Sequence, residues 1–219
     1  MNHVLRKLVH HYEERGVRGL LRKLVGYLRH RAWSETLWVV YEHALIGDTD
    51  RVAESVARRD LGFRELVSVG YFKVKAFPEE IRRRFEDRTV CHGFYLGDRL
   101  ATIGWSSADY LELDSNVHFP CPGAVGLFDF YTFEEFRSRG FYTSALMQLA
   151  DVMRDKGFAR AYIAVDPGNL SSLKGIERAG FRPVLRITRR WRFGVSIISH
   201  WQSIGENAPG GESETQALD

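Results

Sequence analysis

The sharpest change of hydrophobic pattern along the chain falls within residues 125–157. Residues 125–132 are largely apolar on both alternating faces, with Asp129 as the one acid, which predicts a strand covered on both sides. A short acidic segment and a basic turn follow. Apolar residues then recur at helical spacing up to Gly157, whose tolerance of positive φ suits the end of a helix. The order is therefore strand, basic glycine turn, helix.

Patterns on either side predict further elements. β-Branched and aromatic residues indicate extended segments, which lie at residues 36–41, 63–74, 90–96, 100–105, 184–190 and 192–198. Gly97-Asp98 is a two-residue hairpin signal between the third and fourth of these. A helical segment is expected near residues 50–59. A second helix is expected from Pro78 to residue 85, because proline and acids stand in its first turn.

Residues 106–122 connect the predicted hairpin to the central strand. The segment is polar, contains prolines and is long for a plain link. Two interpretations stay open. It either supplies part of a binding pocket, through polar side chains such as Glu112, Asp114 and His118, or it is a solvated surface loop.

The turn before the central helix has the composition of a phosphate site. Amides at a helix start point outward and the helix dipole favours negative charge there. Gly140 leaves room for an anion, Arg137 and Arg139 add charge, and Ser138 and Thr143 add hydroxyls. The turn lacks both the Gly-Lys-Ser/Thr ending of the ATP-binding loop and the three-glycine dinucleotide fingerprint. The turn therefore does not favour binding of ATP-like ligands or of NAD.

This turn resembles the pyrophosphate loop of the GNAT superfamily of acyl-CoA-dependent N-acyltransferases, which reads Arg/Gln-x-x-Gly-x-Gly/Ala. Arg137 and Gly140 fit that pattern, whereas Tyr142 stands where the family has a small residue. A second block follows in the order that the family shows: an apolar strand at residues 161–165, then Asn169 and a helix. The resemblance covers roughly residues 34–201 and implies a mixed α/β (α+β) fold with a partly splayed sheet.

The resemblance also implies a reaction and its binding residues. The expected activity is transfer of an acetyl group from acetyl-CoA to a primary amine of a small molecule or amino sugar, by direct attack. The oxyanion would be stabilised by a backbone amide near Tyr131 or Thr132. The implied residues for binding acyl-CoA are Phe130, Tyr131, Thr132, Arg137, Ser138, Arg139, Gly140, Phe141, Tyr142, Thr143, Asn169 and Ser172. No metal is expected, because the histidines and the two cysteines show no ligand spacing.

Two residues are candidates for catalysis. Asp129, an acid in an apolar strand, is a candidate general base, because burial would raise its pKa. The alternative is a structural acid bonded to backbone or to an arginine such as Arg137. Many family members protonate the leaving thiolate with a tyrosine at the position that is Ile176 here. Water or Tyr142 is therefore expected to take that role.

Two residues that depart from the GNAT pattern keep other functions open. Tyr142 and a basic N-terminus would suit an enzyme that takes long acyl groups from acyl carrier protein and makes N-acyl amino acids. Ile176 together with the same N-terminus would suit a GNAT-like protein that is recruited to membranes without catalysis.

The charge is uneven along the chain, whose net charge is +3. Residues 1–31 hold eight basic residues and two acids, a net charge of +6, so the remainder carries −3. We predict a basic amphipathic arm at 1–33, an acyltransferase domain at 34–202 and a disordered acidic tail at 203–219. The arm would pack on the domain, dock an acidic protein or lie on an anionic membrane; nucleic acid is not expected.

The cysteine content and the apolar runs of the chain indicate its cellular location. Its two cysteines form no disulfide framework, and no apolar run is long enough to cross a bilayer. We therefore predict a cytoplasmic protein, peripheral at the inner membrane face if the arm binds lipid. The sequence leaves its oligomeric state open.

Overall fold

A computed structural model describes residues 33–45, 56–69, 78–87, 89–114, 117–192 and 195–204. The predicted arm and the predicted acidic tail lie outside these residues, apart from residue 33 at one end and residues 203–204 at the other. Both therefore stay predictions.

Eight strands and four helices make up the described fold. The strands are β1 (Trp33–Ala44), β2 (Ala57–Asp60), β3 (Val90–Leu96), β4 (Arg99–Asp114), β5 (Val117–Thr132), β6 (Arg160–Val165), β7 (Arg182–Arg192) and β8 (Val195–Ser203). The helices are α1 (Phe63–Ser68), α2 (Pro78–Glu86), α3 (Phe141–Asp155) and α4 (Leu170–Arg178), with a short 3-10 helix at Glu134–Phe136. The strand order is β2-β3-β4-β5-β6-β1 in the larger of two compact units and β1-β7-β8 in the smaller one. Strands β5 and β6 are parallel, whereas β3, β4 and β5 pair antiparallel. The predicted mixed α/β class is confirmed.

The chain divides into two compact units. The larger unit contains residues 38–185 and holds the predicted strand, turn and helix. In the smaller unit the described residues are 33–37, 186–192 and 195–203. There Ile187 is buried, and the guanidinium of Arg190 lies 2.9 Å from the carboxylate of Glu35.

The core of the larger unit lies between α3 and the sheet. The apolar stripe of α3 is buried through Ala145, Leu146 and Leu149, as the helical spacing predicts. The helix ends at Asp155, and Gly157 follows in the left-handed region with φ +88°. This backbone conformation favours glycine, so the predicted helix end is confirmed within two residues.

The predicted link at residues 106–122 is a long antiparallel hairpin instead. Strand β4 continues to Asp114 and β5 begins at Val117, so the loop interpretation is wrong. Three register shifts hide the alternation that marks a strand. Pro120 is tolerated because, in the described sheet, the other edge of β5 pairs with β6 only at residues 125–127.

Two segments near the N-terminus also differ from their predictions. Phe63–Ser68, predicted as extended, is helix α1: Gly62 N–H bonds to Glu65 Oε2 at 2.8 Å and Leu66 is fully buried. Residues 57–59, predicted as part of a helix, belong to strand β2, which pairs with β3. In both cases tertiary contacts outweigh weak local preferences. The other residues of these predictions lie partly outside the described ranges.

Candidate functional site

A gap opens in the sheet at the end of the central strand. Strands β5 and β6 pair from Val125 with Ala161 to Leu127 with Ile163, and in the described sheet the pairing stops there. Beyond these pairs, from Phe128 to Thr132, the edge of β5 that faces β6 has no partner in β6 within the described sheet. The predicted splay is confirmed. It leaves backbone donors and acceptors where an extended ligand could pair.

A β-bulge shapes the other edge of the same segment. Trp105 pairs with Phe128 and Ile103 pairs with Tyr131, so Gly104 faces two residues of β5. One of them, Asp129, has φ +48°. A Cβ on Gly104 would lie 2.3 Å from the ring of Phe130, so glycine is required there. Bulges redirect side chains, and this one turns Asp129 and Phe130 toward two cavities.

The turn after β5 forms the N-terminus of α3. Ser138 and Gly140 have φ of +60° and +82°, and Gly140 is the N-cap residue. A Cβ built on Gly140 meets no atom within 4 Å. No acid stands in the first turn of α3. The first amides of the helix are therefore directed at a space that suits an anion.

The first cavity, which we call the loop cavity, has a volume of about 620 Å³. It is lined by Phe130, Tyr131, Thr132, Phe136, Arg137, Ser138, Gly140, Phe141, Tyr142, Thr143, Asn169, Ser171, Ser172, Lys174, Gly175 and Arg178. All its charged lining residues are basic. Of the predicted binding residues, only Arg139 is absent from this lining, and its guanidinium instead lies 5.3 Å from the ring centre of Phe141.

Sequence reasoning missed Lys174 and Arg178. They lie one turn apart on α4, which places both on one face of the helix. Exposed basic residues are common on helices, so only the position of α4 beside the turn distinguishes them.

Arg137 and Asn169 are held by local contacts. Arg137 Nε donates to the carbonyl of Thr132 at 3.1 Å, which fixes its charge at the end of β5. Asn169 Oδ1 accepts from the amide of Ser172 at 3.2 Å and from the hydroxyl of Ser171 at 2.9 Å. Asn169 is thus the N-cap of α4 as well as a lining residue.

The second cavity, which we call the carboxylate cavity, has a volume of about 360 Å³. It is lined by Trp38, Arg84, Glu112, Leu113, Asp114, Phe128, Asp129, Phe130, Tyr142, Ile163, Ala164, Val165, Asp166, Asn169 and Ser172. Four of these side chains are carboxylates and one is a guanidinium. The lining residues Glu112, Leu113 and Asp114 come from the segment 106–122, as the pocket interpretation of that segment requires.

Arg84 joins two acids of the carboxylate cavity. Its Nη1 lies 2.6 Å from Asp129 Oδ2, while Nη2 and Nε lie 2.5 Å and 3.2 Å from the oxygens of Glu112. The three side chains are only 13%, 17% and 8% exposed, respectively. The guanidinium also lies 5.2 Å from the ring centre of Trp105. The arginine beside Asp129 is therefore Arg84, whereas the sequence suggested Arg137.

Burial and charge act against each other in this cluster. Burial lowers the pKa of Arg84, but Asp129 and Glu112 outweigh it and the pKa lies above its ordinary value. Burial raises the pKa of Glu112 above its ordinary value despite the opposing effect of Arg84. The sequence could not indicate Arg84, because Arg82 and Arg83 precede it in the same basic helix and are exposed.

Tyr142 lines both cavities, together with Phe130, Asn169 and Ser172. Its ring centre lies 5.5 Å from that of Phe130, edge to face. Burial raises the pKa of Tyr142 well above its usual value, although a hydrogen bond with Ser172 opposes this. The phenol therefore stays protonated at neutral pH. Ile176 is fully buried in the core.

A buried polar network lies outside both cavity linings. His92 Nδ1 is 2.9 Å from Asp60 Oδ1, and His92 Nε2 is 2.8 Å from Ser106 Oγ. The spacing matches a Ser-His-Asp triad, but His92 is fully buried, Ser106 is 3% exposed, and Arg58 also contacts Nδ1 at 2.9 Å. Burial lowers the pKa of His92 to about 4. We therefore interpret the network as structural.

The model of the acetyltransferase (GNAT) family matches residues 62–181, more than half of the chain. The protein belongs to this family, as the loop and the second block predict. A comparison with curated proteins gives no match.

Two solved structures show a similar fold. One is a GNAT-family acetyltransferase from Colwellia psychrerythraea, with 15% identity and a TM-score of 0.52 over 72% of this chain. The other is a GCN5-related N-acetyltransferase from Sphaerobacter thermophilus, with 12% identity and a TM-score of 0.53 over 82% of this chain. The match spans 56% and 57% of those two chains, respectively.

None of the helices in the described residues combines the length and apolar composition of a bilayer span. Among the same residues, no group of three or more His, Cys, Asp and Glu side chains could hold a metal ion.

Proposed function

We propose that the protein transfers an acetyl group from acetyl-CoA to a primary amine of a small cationic molecule, such as an amino sugar. One observation carries the proposal: a basic cavity and an acidic cavity adjoin at the splay of β5 and β6 and share four lining residues. An anionic donor and a cationic acceptor would each meet opposite charge.

The loop cavity suits the donor. The open space at Gly140 and the amides that begin α3 would bind the pyrophosphate, with charge from Arg137. The edge of β5 from Phe130 to Thr132 would pair with the amides of the pantetheine arm. The thioester would then reach the carboxylate cavity beside Phe130 and Tyr142.

The carboxylate cavity suits the acceptor. An ammonium group gains from the surplus of carboxylates there. After it loses a proton, its nitrogen attacks the thioester carbon. The tetrahedral intermediate then loses a second proton from nitrogen, the carbon–sulfur bond breaks and CoA leaves as a thiolate that takes up one proton, so that one proton is released overall. Asp129 remains the proposed proton acceptor, acting directly or through a water. Tyr142, which stays protonated, is the proposed donor to the thiolate.

Positioning would supply much of the rate. A backbone amide at the end of β5, near Tyr131 or Thr132, would stabilise the oxyanion of the tetrahedral intermediate. The bulge at Asp129 fixes this segment relative to β4, so that the reactants meet in a defined geometry.

A donor and acceptor panel tests this function. The full chain is incubated with acetyl-CoA, octanoyl-CoA or loaded acyl carrier protein, each with amino sugars, diamines and amino acids. We expect free CoA and an acetylated amine by mass spectrometry with acetyl-CoA. Turnover only of loaded acyl carrier protein would support an N-acyl amino acid synthase instead, and the absence of turnover with every donor would support a non-catalytic protein.

The N-terminal arm requires a separate measurement. Flotation of the full chain and of a chain lacking residues 1–31 with anionic vesicles tests whether the arm binds membranes. Pull-down with acyl carrier protein tests the acidic partner.

A further inference from the structure

The ring of Tyr142 stands where the two cavities meet. It belongs to the lining of both, at the first turn of α3, opposite the end of β5. The ring therefore forms part of the boundary that an acyl group would meet on extending from the loop cavity into the carboxylate cavity.

Contacts with two residues fix the position of the ring. The ring of Phe130 packs edge to face against it, and Phe130 itself occupies the space above Gly104. Gly175 of α4 also lies against the ring, since an added Cβ would stand 2.5 Å from Tyr142 Cδ1. Glycine within a helix is ordinarily unfavourable; here it makes room for the ring.

The hydroxyl end of the ring is held as well. It is hydrogen-bonded with Ser172 of α4, itself a lining residue of both cavities. The ring thus spans from α3 to α4 and packs against Phe130 and Gly175. A close-packed side chain of this kind cannot move aside without the loss of these contacts.

We propose that Tyr142, supported by Phe130 and Gly175, determines the acyl-chain length of the donor, admitting an acetyl group and excluding long chains. The inference rests on the proposed function, because it assumes that acyl-CoA occupies the loop cavity. It assigns a specificity role to one of the two residues at which this chain departs from the family pattern. The methylenes of a longer chain would have to displace the ring from Phe130 and Gly175.

Equilibrium binding tests the proposal without the need for an acceptor. Calorimetry with CoA, acetyl-CoA and octanoyl-CoA gives, for each variant, the ratio of octanoyl-CoA to acetyl-CoA affinity. For the native chain we expect octanoyl-CoA to bind no more tightly than CoA. Tyr142→Ala should raise the ratio by about tenfold, since apolar surface becomes available for several methylenes. Tyr142→Phe keeps the ring and should keep the native ratio.

Gly175→Ala provides the converse test. Its methyl group would collide with the ring of Tyr142, so acetyl-CoA should bind at least several-fold more weakly, whereas the same change in a Tyr142→Ala background should have little effect. Thermal unfolding of every variant establishes that it is folded.

The outcomes are distinguishable. If CoA binds and Tyr142→Ala, although folded, leaves the ratio unchanged, the chain-length role is wrong while the donor assignment stands. If the native chain already binds octanoyl-CoA more tightly than acetyl-CoA, the role is also wrong. If no CoA species binds the native chain, the proposed function fails, and the chain-length role fails with it.

Discussion

Arg84 and Asp129 are 45 residues apart in the chain and form an ion pair 2.6 Å long beside the bulge of β5. The same guanidinium binds Glu112 from the neighbouring strand. One arginine of α2 thus fixes two carboxylates of the carboxylate cavity. It reduces the negative charge that an acceptor meets and holds the remaining charge in a defined place.

Replacement of Arg84 should affect both folding and acceptor binding. Arg84→Ala leaves two largely buried carboxylates without their guanidinium, and we expect a loss of about 3 kcal/mol in the free energy of unfolding. The KM for the amine should rise because Asp129 and Glu112 lose their fixed positions. Urea unfolding and steady-state kinetics measure the two effects. Arg64→Ala, at an exposed position of α1, is the control and should change stability by less than about 0.5 kcal/mol; equal effects of the two variants would contradict the role of Arg84.

The role of Asp129 as a base predicts a change in the pH profile. A base must be deprotonated to act, so activity should rise with pH along an ascending limb. Asp129→Asn keeps the size of the side chain but cannot accept the proton, so the rate should fall and this limb should disappear. The measurement is kcat/KM from pH about 5 to 9. An unaltered limb in Asp129→Asn would assign the residue to structure alone.

A matched pair of glycine variants tests whether the turn at Gly140 binds the pyrophosphate of CoA. Gly140 and Gly157 lie at opposite ends of α3, both have positive φ, and an added Cβ meets no atom within 4 Å at either position. Gly140→Glu and Gly157→Glu therefore bear similar backbone strain, about 1 kcal/mol or more. Only Gly140→Glu places a negative side chain where the pyrophosphate would bind. We expect calorimetry to show loss of CoA binding for Gly140→Glu and retention for Gly157→Glu; CoA affinity that survives Gly140→Glu would refute the loop assignment.

The basic face of α4 predicts that the protein binds CoA more tightly than dephospho-CoA. Lys174 and Arg178 line the loop cavity and would neutralise the 3′-phosphate of CoA, a group that dephospho-CoA lacks. The double variant Lys174→Ala/Arg178→Ala should weaken CoA binding about tenfold, as loss of charge-assisted contacts does, but should weaken dephospho-CoA much less. Lys156→Ala, which removes a basic residue beyond the other end of α3, is the control. Equal losses for both donors would place the two side chains elsewhere on the ligand.

The buried histidine predicts acid instability. The pKa of His92 is about 4 in the folded protein, below the ordinary 6.5, chiefly because of burial. Asp60 opposes this shift, whereas Arg58 and Lys156 add to it. Between these two pH values the unfolded chain binds more protons, so stability is present above pH 6.5 and is lost as the pH falls toward 4. The loss should reach roughly 3 kcal/mol.

Urea unfolding at several pH values measures this loss. His92→Gln, which cannot ionise, should show a flatter dependence between pH 6.5 and 4 than the native protein. His118→Gln, at an exposed position, should retain the native slope. A native slope in His92→Gln would mean that other groups cause the acid instability.

Local patterns were sufficient for much of the fold. The strand, the glycine turn and α3 could be predicted because a covered strand is apolar throughout, a helix repeats its apolar residues every three to four positions, and the left-handed region favours glycine. Residues 106–122 and 63–68 could not be predicted. Bulges interrupt the alternation of β4 and β5, and α1 is short and depends on the burial of Leu66.

The amino-acid sequence is sufficient to identify the family, the basic turn with Gly140 and most of the side chains around the loop cavity, because these residues are consecutive or follow a fixed pattern. The folded structure is needed to establish that Arg84 pairs with Asp129, that Glu112 joins them and that Gly175 makes room for Tyr142. The reason is physical: a charge or a glycine gains its role from the groups that the fold brings within a few ångströms, and the local sequence does not specify those groups.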